Sequence, residues 1–160
     1  MACFSKHKNE EAFSLVELMV VVAIVSVLAA VATTRFDRFQ AKARQSEAKS
    51  SLAQIFALQQ SYYADKEIYA ALPGYGMNGA VAVCPANDLG FRLTGCASGK
   101  MRYYYVTNPI VPLSTGFQID GRSGTGNLNK VLPGCAAPDV WSINEDKELI
   151  HTTNPFDFCS

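Results

Sequence analysis

From Phe13 to Ala32 the chain reads FSLVELMVVVAIVSVLAAVA, a run whose one charge is Glu17. As a helix rising about 1.5 Å per residue, it matches the roughly 30 Å hydrocarbon core of a bilayer. A helix apolar on every side must be wrapped completely, by protein or by lipid. The rest of the 160-residue chain offers no such wrapping, since its overall apolar fraction of 49% is ordinary for a folded domain. The run must therefore find lipid or other copies of itself. Fourteen basic residues balance fourteen acidic ones, so the totals give no large sequence-independent pull toward nucleic acid or anionic lipid.

The residues before the run are MACFSKHKNEEA. A secretory signal peptide places its apolar part before the cut, with small residues at the site. Here the order is reversed: the charged part comes first, and cleavage before Phe13 would leave the apolar run in the mature protein. Lys6 and Lys8 tend to hold this leader in the cytoplasm, and acidic Glu10 and Glu11 count little against them. The remainder then lies outside the inner membrane. Of the five cysteines, Cys3 leaves with the leader, and Cys84, Cys96, Cys135 and Cys159 remain. An oxidising compartment favours disulfides. Four cysteines allow three pairings; the two local loops, Cys84–Cys96 and Cys135–Cys159, are the expected ones, with buried free thiols as the alternative. The spacings fit no structural zinc pattern.

The helical pattern continues past the apolar run, with no Pro or Gly between Phe13 and Leu72 and many good helix formers. One helix is expected from about Phe13 to about Ala64, roughly 75 Å long. Ala41, Ala48, Leu52, Ile55, Phe56, Tyr62 and Tyr63 form one broad stripe. Lys42, Glu47, Ser50 and Gln54 fall elsewhere on the helix. Pro73-Gly74 ends the helical stretch, and Leu72 to Leu93 reads as an irregular connection. Strand-like runs follow at Met101 to Thr107, Gly116 to Asp120, Asp139 to Asn144 and Lys147 to Thr152. Glu145-Asp146 marks a hairpin between the last two. The expected fold is α+β: a long N-terminal helix, transmembrane in its first half, packed on a small antiparallel sheet of three or four strands. The expected segments are a leader (1–12), a membrane or filament-core helix (13–32), an amphipathic continuation (33–72) and a disulfide-containing sheet head (73–160).

The stretch AFSLVELMVVVAIVSVLAAVA resembles the N-terminus of type IV prepilins and type II secretion pseudopilins. In that family a short charged leader ends in Gly, Phe opens the mature chain, and Glu stands at the fifth mature position. Here Phe13 and Glu17 take those places, with Ser14-Leu15-Val16 and Leu18-Met19 also matching. The strong match covers Ala12 to Ala32, with looser likeness to Tyr69; the head resembles the family in layout alone. Two departures stand out. Ala12 replaces the usual Gly before the cut, and Thr33-Thr34 stands where many members have a helix-kinking Pro. The resemblance implies cleavage between Ala12 and Phe13 and methylation of the Phe13 amine by a prepilin peptidase/methyltransferase. It also implies an assembly platform with ATPases, and a helical homo-oligomer drawn from inner-membrane lipid to the cell surface.

Glu17 sits one turn from the amine that cleavage creates. A carboxylate inside a membrane must be protonated or paired. In a stack of parallel helices, Glu17 of one subunit can meet the Phe13 amine of the next and set the register; pairing within one chain is the alternative. Ala23, Ser26, Ala29, Ala30 and Ala32 permit close helix approach. Phe36, Phe39, Phe56, Tyr62 and Tyr63 read as packing residues rather than as a conducting stack. Asp120 to Asn129 reads as a solvated Gly-rich loop, since the EF-hand pattern fails at Val131. No catalytic set, metal site or cofactor is expected, and His151 reads as structural. The expected function is subunit of a type IV pilus serving adhesion, twitching motility or DNA uptake. A secretion pseudopilin and a single-pass anchored periplasmic domain are the alternatives.

Overall fold

The computed structural model describes residues 13–78, 81–99, 101–109, 111–124 and 137–154. Helix α1 spans Leu15–Lys66 as a single 52-residue element. Six strands follow: β1 (Tyr75–Asn78), β2 (Val81–Val83), β3 (Tyr103–Thr107), β4 (Gln118–Ser123), β5 (Val140–Asn144) and β6 (Leu149–Thr153). They form one sheet in the order β2-β1-β3-β4-β5-β6, with every neighbouring pair antiparallel. By internal contacts the chain divides into two compact units, Met1–Phe36 and Asp37–Ser160.

The first unit holds the apolar part of α1, where an 18-residue window reaches a mean hydropathy of 2.8 with none of it buried. Each large apolar side chain from Phe13 to Val31 is at least half exposed, from 52% at Val20 to 80% at Phe13. Burying such a side chain is worth about 1.5 kcal/mol or more, so thirteen of them leave on the order of 20 kcal/mol unclaimed. A whole domain is stable by only about 5–15 kcal/mol. Ser26 costs the run little, because its hydroxyl donates to the Val22 carbonyl at 2.7 Å.

In the second unit the distal half of α1 packs on the sheet. Ala41, Ala48, Leu52 and Ile55 are fully buried, with Phe56 and Tyr62 packed against the same core. Gln45, Ser51 and Gln59, also buried, are the polar part of this face that apolar periodicity passes over. Tyr103 and Tyr105 of β3, Ile119 of β4, and Trp141 and Ile143 of β5 answer from the sheet. Their alternation is the period-two signature of a half-buried strand. Gly121 of β4 lets the layers approach: a Cβ there would stand 3.0 Å from the Tyr105 ring and 3.6 Å from Leu52 Cδ1.

Two expectations about the chain path need correction. The segment from Leu72 to Leu93 is not simply irregular, for it contains β1 and β2. Gly76 hides β1 from a propensity reading: its φ of 123° and its close approach to the Tyr103 carbonyl exclude a side chain. Strand β4 also continues through Gly121 to Ser123, residues that read as loop. The hairpin at Glu145-Asp146 does join β5 and β6, with Ile143 opposite Leu149. Helix α1 ends before Pro73, at Lys66; the next residue, Glu67, has a left-handed φ of 57° and its N–H donates to the Tyr63 carbonyl at 2.8 Å.

Gln59 fixes the return of the chain onto the helix. Its amide nitrogen donates to the Ala70 carbonyl at 2.7 Å, and its carbonyl accepts from the Ala70 N–H at 2.9 Å. Replacing Gln59 by leucine strands both backbone groups in the core. At about 1–3 kcal/mol for each unsatisfied group, the expected loss is about 2–6 kcal/mol, read from urea unfolding of the chain in detergent.

Cys84 and Cys96 form a disulfide with Cα atoms 6.0 Å apart. The loop it closes carries Phe91, fully buried edge-on against Tyr75 and Tyr105 with centroids at 5.2 and 5.9 Å. Asn87 clasps the loop from within, accepting from the Phe91 N–H at 2.9 Å. Cys135 and Cys159 lie outside the described residues.

The head also has a polar centre that sequence reasoning did not single out. Asp139, at the entry to β5, is completely buried. Its Oδ1 accepts from Gln45 Nε2 at 3.1 Å and pairs with His151 Nε2 at 2.6 Å. Its Oδ2 accepts from the Tyr103 hydroxyl and from Trp141 Nε1, the latter at 3.1 Å. The His151 ring lies flat on Trp141, 3.8 Å between centroids, and Lys49 Nζ stands 4.1 Å over that same indole. One carboxylate thus ties α1, β3, β5 and edge strand β6 together.

Burial pushes the phenols of Tyr103 and Tyr105 above the ordinary tyrosine range, with the Asp139 bond adding to the effect at Tyr103. The folded state therefore holds these protons more tightly than the unfolded chain. Their contribution is complete below the unfolded value near pH 10 and is lost as pH rises beyond it. Stability is expected to fall above about pH 10 by as much as 1.4 kcal/mol per pH unit for each phenol. Urea unfolding at pH 9, 10 and 11 measures the slope, and Tyr103→Phe should flatten it.

Candidate assembly site at the start of the long helix

The first turn of α1 explains why Glu17 is tolerated in so apolar a segment. Helix starts leave unpaired N–H groups. Ser14 stands at the N-cap position: its carbonyl accepts the first helical bond from the Leu18 N–H at 3.2 Å. Three residues on, Glu17 Oε2 accepts from the Ser14 N–H, also at 3.2 Å. This is the acidic half of a capping box, and Ser-x-x-Glu is its sequence signature. That signal was present at Ser14 to Glu17 and would have located the intrachain contact. The carboxylate also sits where the helix dipole favours negative charge. Phe13, immediately before this turn, is 80% exposed, and Ala12 lies outside the described residues.

The site thus combines an accessible aromatic just before the helix, a carboxylate held one turn away, and exposed apolar residues beyond. Residues 7–33 match a family model described as "Prokaryotic N-terminal methylation motif". The N-terminal segment is similar to that motif. Over 64 residues it is 47% identical to "Type IV major pilin protein PilA" of Myxococcus xanthus (strain DK1622), which covers 40% of this chain and 29% of that one. Over 62 residues it is 34% identical to "Fimbrial protein EcpC" of Eikenella corrodens, covering 39% of this chain and 40% of the relative. The chain therefore spans well under half the length of these relatives. No solved structure matches it.

The matched segment contains the stretch read from Ala12 to Ala32, and the relatives bear the names of pilus proteins. In the head, His151 is packed and hydrogen-bonded into the Asp139 centre. Asp120 is held on β4 by Arg122 at 2.8 Å and Gln118 at 3.2 Å, while Asn127 and Asn129 lie outside the described residues. Among the described residues no cluster of metal-ligating side chains occurs. Of the aromatics weighed as a stack, Phe56 meets Phe117 at 6.1 Å, and Phe36 and Phe39 are exposed.

Proposed function

We propose that this chain is a structural subunit of a type IV pilus. Residues 1–12 are a leader removed between Ala12 and Phe13 by a prepilin peptidase, which also methylates the Phe13 amine. Residues 13–32 anchor the subunit in the inner membrane as a single span and later form the filament core. Residues 33–72 continue the helix, and 73–160 form the head. The assembly platform and its ATPases carry the subunit from membrane to cell-surface fibre. The single observation that carries this reading is the completely bare apolar run, which needs lipid at one stage and other copies of itself at another. Lipid alone would leave Glu17 an expense without a use. In a fibre it meets the new amine of a neighbour.

The remaining cysteines belong to the same reading. Cys84 and Cys96 are already joined. Val140 is paired with Thr153, so the chain enters and leaves the β5–β6 hairpin at one end of the sheet. Cys135 stands five residues before Val140, and Cys159 six residues after Thr153. That register supports a Cys135–Cys159 bond in the mature protein. Non-reducing peptide mapping should recover both cross-linked peptides; alkylated free Cys135 or Cys159 would refute the second.

Shearing of intact cells tests the function. The chain is expected in the sheared fraction as well as in membranes. Its confinement to membranes, in cells that make fibres, would favour an anchored domain.

A further inference from the structure

The face of the sheet turned away from α1 carries a cavity. Strand alternation sends Tyr103, Tyr105 and Gly121 toward the helix and turns Tyr104, Val106 and Arg122 outward, with Tyr104 directly opposite Arg122. Together with Met77, Asn78 and Pro138 they line a space of about 520 Å³, within the roughly 300–1,000 Å³ range of small-molecule sites. The Tyr104 hydroxyl lies against Gly74, where any side chain would collide with it. The ring is therefore held along the start of β1.

Arg122 is the one charged residue in this lining. Its Nη2 donates to Asp120 Oδ2 at 2.8 Å. The Asp120 side chain is only 6% exposed and is held in turn by Gln118 Nε2 at 3.2 Å. The Arg122 side chain is 55% exposed and has no other partner among the described residues. One of its five N–H donors is thus used, and the rest of a positioned, planar fork remains. The Asn78 amide and the Tyr104 hydroxyl also have no side-chain hydrogen bond among the described residues.

These groups select a ligand class. A single guanidinium suits one carboxylate, taken by two parallel N–H bonds. A bare phosphate would be satisfied at that edge and leave most of the cavity to water. The remaining walls are mixed: Met77, Val106, Pro138 and the Tyr104 ring are apolar, while Asn78 and the Tyr104 hydroxyl can each donate and accept. A sugar ring has the matching surface, with C–H groups on its faces and hydroxyls at its rim. The geometry points to this cavity as a binding site for a carboxylated sugar, a uronic-acid residue whose carboxylate meets Arg122 and whose ring lies on Tyr104. This goes beyond the pilus reading and does not depend on it.

The test follows the Met77 methyl signal by NMR, in the full chain labelled at methionine methyls and held in an amine-oxide detergent free of sugar. Methyl glucuronide should shift that signal and saturate it at millimolar concentration. Methyl glucoside, which lacks the carboxylate, should bind about tenfold more weakly. Arg122→Lys keeps a cation beside Asp120 but removes the fork, and should lose most of that preference. Asn78→Asp changes an exposed residue at the end of β1, leaves the Arg122–Asp120 pair intact, and should abolish uronate binding through like charge. Wild-type unfolding midpoints show that the variants are folded. No shift at Met77, equal affinity for the glucoside, or an undiminished preference in either variant overturns the site. Displacement of the glucuronide by inorganic phosphate at lower concentration overturns the sugar assignment in favour of a general anion site.

Discussion

Replacing Glu17 by leucine is expected to abolish fibres while leaving a processed, membrane-inserted chain. Within one chain the substitution is mild. The Ser14 N–H loses its acceptor at 3.2 Å, and a lost cap costs about 1 kcal/mol. Removing a carboxylate from a membrane helix returns about 3 kcal/mol. Insertion should therefore be unimpaired. Between chains the proposed pairing makes the effect severe, because the Phe13 amine of each neighbour would be left charged in an apolar core. Stranding one partner of a buried charge pair costs about 2–5 kcal/mol, at least roughly a thirtyfold loss in sheared chain. Glu17→Gln separates the two roles. Glutamine can still accept from the Ser14 N–H but carries no charge. Fibres from the glutamine variant, with none from leucine, would make helix capping the essential role; normal yield from leucine would remove Glu17 from assembly altogether.

The second large effect is expected in the head. Asp139→Ala removes the acceptor shared by Gln45, Tyr103, Trp141 and His151. Each buried donor left without a partner costs about 1–3 kcal/mol, so the sum is at least about 4 kcal/mol. That approaches the whole stability of an ordinary domain. The alanine variant should lose cooperative unfolding, seen as collapse of near-ultraviolet circular dichroism from Trp141 and the tyrosines. Asp139→Asn should fall between, since its carbonyl can still accept from two donors while its NH2 faces the other two and cannot. A wild-type melting curve for the alanine variant would show that this centre contributes nothing to folding.

These two sites differ in how far they could be read beforehand. The apolar run was legible because it needs no partner in the chain: twenty residues with one charge already limit their surroundings. The stripe through Ala41, Ala48, Leu52 and Ile55 was legible because helical period and apolar chemistry agree. The β5–β6 hairpin was legible from two alternating runs and a polar pair between them. Strands β1 and β2 were not, because they are only four and three residues long and Gly76 breaks the pattern for a backbone reason. Nor was Asp139 legible. Its partners come from positions 45, 103, 141 and 151, and Gln45 is 94 residues away. No local period marks a polar group whose use depends on tertiary closure. Gln59 was missed for the same reason, as a polar residue on a face scored by apolar content.

The most direct measurement is the mass of the N-terminal peptide of chain sheared from cell surfaces. A peptide beginning at Phe13 and carrying one added methyl group is the expected result, and it joins processing, modification and surface assembly in one spectrum. An intact Met1 end found only in membranes would contradict the account and leave an anchored domain in its place.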